Sequence, residues 1–162
     1  MTLLLLFAAG IAHALDPSRL VGAWTLDLEA SEPVLPLLEA AGVGWAERQA
    51  IARLPITQVI TLTDTELKVL IDTPVGDRTE RLPLAGESKR GTTKDGEPWE
   101  TTTVFEAEAF VTTMRVTLAE GTRTFVIHRS LADADRTLVQ KLTLTVPDGR
   151  VLVARRTFRR ST

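Results

Sequence analysis

Apolar and polar side chains alternate along most of this chain, and three stretches near its end carry the pattern furthest. One face of residues 122–131 reads Phe125, Ile127, Arg129, Leu131; one face of 137–146 reads Leu138, Gln140, Leu142, Leu144, Val146; one face of 150–160 reads Leu152, Ala154, Arg156, Phe158. A period of two is the strand signature, because successive side chains point to opposite sides of a sheet. Each face is apolar except for one polar residue: Arg129, Gln140 and Arg156. If these faces turn inward, two guanidinium groups and one amide lie among aliphatics, and a buried charge needs a partner. Two partners fit the pattern. One is an anionic ligand held inside the fold. The other is internal: buried water, or an ion pair with a glutamate such as Glu106 turned inward.

The same alternation opens the chain. Within 20–29, Trp24, Leu26 and Leu28 oppose Thr25, Asp27 and Glu29, and Gly22 beside Trp24 permits close backbone approach. Strands are predicted next at 56–63, 66–73, 77–84, 87–93, 97–107 and 109–118. Turn chemistry divides them, at Pro74-Val75-Gly76, Ala85-Gly86, Asp95-Gly96, Glu120-Gly121 and Pro147-Asp148-Gly149. Residues 30–54 differ in period. Ser31 and Glu32 before Pro33 suit a helix start, Leu37, Leu38 and Ala41 suit a short helix ending at Gly42, and a second helix runs from Trp45 until Pro55 stops it. The connections among the ten strands are too short for anything but antiparallel neighbours. The predicted fold is therefore all-β: a ten-stranded antiparallel up-and-down β-barrel with a short helix-turn-helix lid after the first strand. Such a meander closes most naturally into a barrel without free edges, and few aromatics leave room inside for a ligand.

Composition narrows the chemistry. The 162 residues carry a net charge of −2, with 44% hydrophobic and 25% charged side chains, which describes one globular domain with no bulk attraction to nucleic acid. Cysteine is absent and the two histidines are His13 and His128, so thiol chemistry, a metal centre and a histidine-based triad are not expected. No Gly-x-Ser-x-Gly setting is present. The expectation is no enzyme, no cofactor and no metal. Residues 1–14 read as a signal peptide, with an apolar run at 3–12 and the small-x-small form Ala12-His13-Ala14, although no basic residue precedes it. The domain is then 15–162, in a periplasmic or secreted protein; a frayed apolar start on a cytoplasmic protein is the alternative.

Several stretches resemble one family. Gly22-Ala23-Trp24 opens the first strand; Leu37–Arg48, with Gly42-Val43-Gly44 at its centre, resembles a first helix, its turn and the start of a second; Pro55–Ile60 looks like the strand leaving that helix; Arg156-Thr157-Phe158-Arg159-Arg160 looks like a terminal Arg-x-Tyr/Phe followed by basic residues. Together, in this order over 20–160, they resemble the intracellular fatty-acid-binding and retinoid-binding proteins of the calycin (lipocalin-like) superfamily. The resemblance implies an interior arginine pair that grips a carboxylate, with Arg156 on the last strand, Arg129 two strands earlier and Gln140 between them. Phe158 falls where that family often has a tyrosine. It cannot donate a hydrogen bond, which shifts the expected grip from Arg156 toward Arg129. Bacterial secreted lipocalin-like proteins offer a second resemblance, through the Gly-x-Trp start and the Pro147-Asp148-Gly149 turn.

The sequence thus predicts non-enzymatic binding or transport of a fatty acid or similar hydrophobic carboxylate, by a monomer. The ligand-binding residues would be Arg129, Arg156 and Gln140 at the head group, with Phe158 and Phe125 lining the cavity. Transient membrane contact could run through the helical lid, where Trp45 either anchors the helices on the barrel rim or stands exposed near Arg48 and Arg53. The alternative function is a lipocalin-like secreted envelope protein with a protein-interaction or structural role and no small ligand.

Overall fold

Trp24 shows how the start of the chain is locked to its end. Its indole Nε1 donates to the Leu20 carbonyl at 2.9 Å, and the Arg160 guanidinium lies 4.2 Å from the ring centroid in a cation–π contact. Gly22 makes this possible. Its φ is 141°, and a Cβ there would sit 2.6 Å from Arg160 Nη1. Arg160 also donates to the carbonyls of Arg19, Val21 and Asp135, which ties the last strand to the first described turn.

The computed structural model describes residues 15–161; the expected leader, 1–14, lies outside the described residues. All ten predicted strands form: β1 Gly22–Asp27, β2 Thr57–Leu62, β3 Glu66–Asp72, β4 Arg78–Pro83, β5 Lys89–Thr92, β6 Pro98–Phe105, β7 Phe110–Leu118, β8 Gly121–Ala132, β9 Thr137–Thr145 and β10 Val151–Arg160. The two helices, α1 Leu35–Ala40 and α2 Trp45–Arg53, follow β1 as predicted. Pro36 stands in the first turn of α1, where a missing N–H costs nothing. A 3₁₀ turn at Pro17–Leu20 was not predicted; Asp16 caps it by accepting from the Ser18 N–H at 2.9 Å.

One antiparallel sheet runs in the order β4-β3-β2-β1-β10-β9-β8-β7-β6-β5 and curls on itself. The expectation of a barrel without edges needs correction at one place. β4 and β5 are both sheet ends, and no ladder joins them. β5 is only four residues long, and the contact across the gap is a side-chain one, from Lys89 Nζ to the Arg81 carbonyl at 2.5 Å.

Two apolar clusters line the described interior. The first gathers Trp24, Leu26, Ile60, Leu67, Val69, Phe110, Leu138 and Phe158 at the closed end. The second joins Val34 and Leu37 of the helical segment to Leu144, Val146 and Ala154, with Phe125 and Leu142 partly buried against it. The helices therefore cover the barrel from the side opposite Trp24. They are held there by hydrogen bonds as well as by packing: Arg123 Nη1 donates to the Ala41 carbonyl at 2.8 Å, and Glu32 N–H to the Arg155 carbonyl at 2.8 Å.

Candidate functional site

Between the two apolar clusters runs a polar row, and strand register builds it. Phe110 pairs with Arg129, Arg129 with Gln140, and Gln140 with Arg156, so β7, β8, β9 and β10 each contribute one residue side by side on the inner face. Arg129, Gln140 and Arg156 retain 1%, 5% and 6% of their accessible surface. The structure thus brings together the three polar residues that alternation singled out. Phe158 lies two residues beyond Arg156, paired with Leu138 and Leu26 in the closed-end cluster. Phe125 lies four residues before Arg129, on the lid side, packed against the second cluster. The two phenylalanines flank the polar row from opposite sides rather than joining it.

The three polar side chains have different partners. Arg129 Nη2 forms an ion pair with Glu80 Oε2 at 3.0 Å, and Nη1 donates to Thr112 Oγ1 at 3.0 Å. Gln140 Nε2 donates to Gln58 Oε1 at 2.8 Å. The Arg129–Glu80 and Gln140–Gln58 contacts cross the interior, from β8 to β4 and from β9 to β2, whereas Thr112 lies on the neighbouring β7. Arg156 is the exception: among the described residues, its Nε and Nη2 are buried with no hydrogen-bond partner. Arg129 leaves only Nε so.

Electrostatics separates the two arginines further. Burial pulls both guanidinium groups below the usual arginine range. At Arg129 the Glu80 carboxylate acts in the opposite direction, whereas at Arg156 nothing offsets the burial. Arginine nevertheless keeps its proton in proteins, so Arg156 is a buried cation with free donors in a fixed fork. The sequence shifted the expected carboxylate grip toward Arg129 on account of Phe158. Arg129 already holds a carboxylate, that of Glu80, whereas Arg156 presents free donors.

A cleft of about 340 Å³ leads under the helices to this residue; Pro33, Val34, Leu35, Ala52 and Arg53 line it together with Arg156. On the inner face beyond the polar row, Phe125, Ile127, Leu142 and Leu152 are only half-buried, and Met114 on β7 is 37% exposed. Apolar side chains that face inward yet remain accessible mark interior space on the lid side.

Glu106, the acidic partner considered from sequence, is exposed, and only its backbone is engaged, accepting from Leu15 N–H at 2.9 Å. Alternation itself places it outward, since its neighbour Phe105 pairs with the buried Phe110 on the inner face. Glu80, Gln58 and Thr112 are the site residues that the sequence reading missed. Alternation carried a usable signal for two of them: Glu80 shares a face with Leu82, and Gln58 shares one with Ile60. Among the described residues no cluster of three or more metal-ligating side chains occurs. No helix of the described residues is long and apolar enough to cross a membrane.

No protein-family model matches the chain, and no curated protein sequence matches it. Solved structures do. A lipid binding protein 8 of Caenorhabditis elegans, in its apo form, superposes with a TM-score of 0.75 at 19% identity, over 91% of this chain and 99% of that one. A structure described as the REP1-NXSQ fatty acid transporter gives 0.70 at 20% identity, over 90% and 98%. A Schistosoma mansoni fatty acid binding protein in complex with arachidonic acid gives 0.68 at 23% identity, over 90% and 98%. The chain therefore shares the fatty-acid-binding-protein fold along nearly its whole described length.

Proposed function

We propose that this chain binds and carries a fatty acid or a similar hydrophobic carboxylate inside its barrel, without performing chemistry on it. The observation that carries the reading is Arg156: a buried guanidinium whose Nε and Nη2 lack any partner among the described residues. An unpaired buried charge is costly to the folded protein, and a carboxylate presented to its fork would relieve that cost through paired, charge-assisted hydrogen bonds. Gln140, next to Arg156 on β9, can add a donor, since only one contact occupies its amide nitrogen. The tail would run toward the lid among Phe125, Ile127, Leu142 and Met114. The naming of the structural neighbours for fatty acid binding and transport supports the same ligand class.

Magnitudes agree with a carrier. Burying about ten methylenes at about 0.8 kcal/mol each gives about 8 kcal/mol before ordering costs, which corresponds to affinity near the micromolar range. Membrane contact through the lid belongs to the same reading, supported by Trp45, which is 69% exposed at the start of α2 rather than packed on the rim. So do a monomeric state and export directed by residues 1–14, which the N-terminal mass of the protein recovered outside the cytoplasm would test.

The direct test is to delipidate the protein and titrate it with a long-chain fatty acid and with the methyl ester of the same acid. Saturable binding of the acid, at least about tenfold tighter than the ester, is the expected result. Absence of saturable binding, or equal affinity for the ester, would overturn the reading.

A further inference from the structure

The interior holds a carboxylate of its own, and its placement bears on which ligands the site accepts. Glu80 lies on β4, across the barrel from Arg129, in register with Val69 and, through it, with Ile60, both fully buried. One oxygen of Glu80 holds Arg129 at 3.0 Å, and the other accepts from Arg78 Nη2 at 2.6 Å. Arg78 is solvent-exposed, so its charge is screened, while Arg129 is 1% exposed. Held from both sides, Glu80 is fixed on Arg129 and leaves Arg156 alone. The other polar groups bonded along the row, Gln58, Gln140 and Thr112, are neutral.

We infer that Glu80 is a specificity-determining residue: by neutralising Arg129 it leaves Arg156 as the one unmatched buried cation, the charges at the cleft mouth, Glu32 and Arg53, being exposed and opposite in sign, and so selects singly charged head groups over doubly charged ones such as a phosphate monoester. This rests on the proposed binding of an amphiphile at Arg156. The physical reason is that a buried charge must be matched. One carboxylate balances Arg156; a dianion leaves one negative charge unmatched at the inner end of the cleft, where water screens it less than at the surface. Without Glu80 the same interior would carry two positive charges and the preference would move toward dianions. Arg129 is thereby assigned to setting the charge of the site, and Arg156 to holding the ligand.

The test compares dodecanoate with dodecyl phosphate at about pH 8, where the phosphate is doubly ionised. Calorimetric titration of the full chain, wild type and Glu80→Gln, gives the ratio of the two affinities. Gln keeps the shape and one acceptor for Arg129 but removes the charge. The wild type should prefer dodecanoate, and the ratio should shift toward the phosphate by at least about tenfold in the variant. The double variant Glu80→Met/Arg129→Met removes both charges together, so it should keep the wild-type preference; if Glu80→Gln fails to fold, Arg129→Met decides the matter, since it leaves Glu80 unbalanced and should move the ratio further from the phosphate, and an unchanged ratio there would overturn the role of Glu80. Both ligands binding with an unchanged ratio in Glu80→Gln, or a phosphate preference gained by the double variant, would overturn the role of Glu80 while leaving the lipid-binding reading intact. Failure of both ligands to bind the wild type would remove that reading and this inference with it.

Discussion

Gln140 and Gln58 are joined by a 2.8 Å hydrogen bond although they lie 82 positions apart, and the bond crosses the barrel from β9 to β2 instead of following the sheet. Both amides are buried, at 5% and 4% exposure, so each is the other's protection against an unsatisfied polar group. Truncating one should strand the other. Gln58→Leu or Gln140→Leu is expected to lower stability by about 1–3 kcal/mol, and the double variant to recover much of that loss, since an apolar pair needs no hydrogen bond. Urea unfolding of the four proteins in a double-mutant cycle measures the coupling; additive losses would contradict it.

The contact also shows where sequence reading stops. Alternation located all ten strands and selected Arg129, Gln140 and Arg156 correctly as one inner row, because register follows from a strict two-residue period once one face is buried. It could not pair Gln140 with Gln58 or Arg129 with Glu80, since those contacts depend on how the sheet curls. β4 reads Arg78-Thr79-Glu80-Arg81-Leu82-Pro83, and its weak apolar pattern made Glu80 look like one surface charge among several. The β8–β9 turn was equally opaque in detail. Asp133, Ala134 and Asp135 adopt φ values of 52°, 51° and 65°, a left-handed run with no glycine to announce it.

Gly91 on β5 faces the Trp99 indole of β6, and a Cβ at that position would lie 2.6 Å from Cζ2. Gly91→Ala is therefore expected to overpack the edge hairpin and cost about 1–3 kcal/mol, with the combination Gly91→Ala/Trp99→Leu recovering part of it. Thermal melts of the wild type and the two variants check this. A single alanine variant as stable as the wild type would show that the edge strand moves aside freely.

Asp135 links the β8–β9 turn to the first 3₁₀ turn through two hydrogen bonds from Arg19, at 2.9 and 2.6 Å. Those bonds hold its carboxyl below the ordinary value of 3.8. The folded state then binds its proton less readily than the unfolded chain does. The associated stabilisation is complete above the ordinary value and disappears as pH falls through the folded one. Asp135→Asn should melt lower than the wild type at neutral pH, and the two curves should converge in acid. Melting temperatures measured down to about pH 2.5 test the sign; a gap that widens in acid would contradict it.

The most direct measurement concerns Arg156, because ligand holding and stability pull in opposite directions there. Replacing a buried cation that has no protein partner with an apolar side chain of similar length should not destabilise the fold. Arg156→Met is therefore expected to unfold at equal or higher denaturant concentration than the wild type, while its affinity for a fluorescent long-chain fatty acid falls at least about tenfold. A variant that loses stability, or one that binds the fatty acid as tightly as the wild type, would contradict the assignment of Arg156 as the residue that holds the ligand's carboxylate.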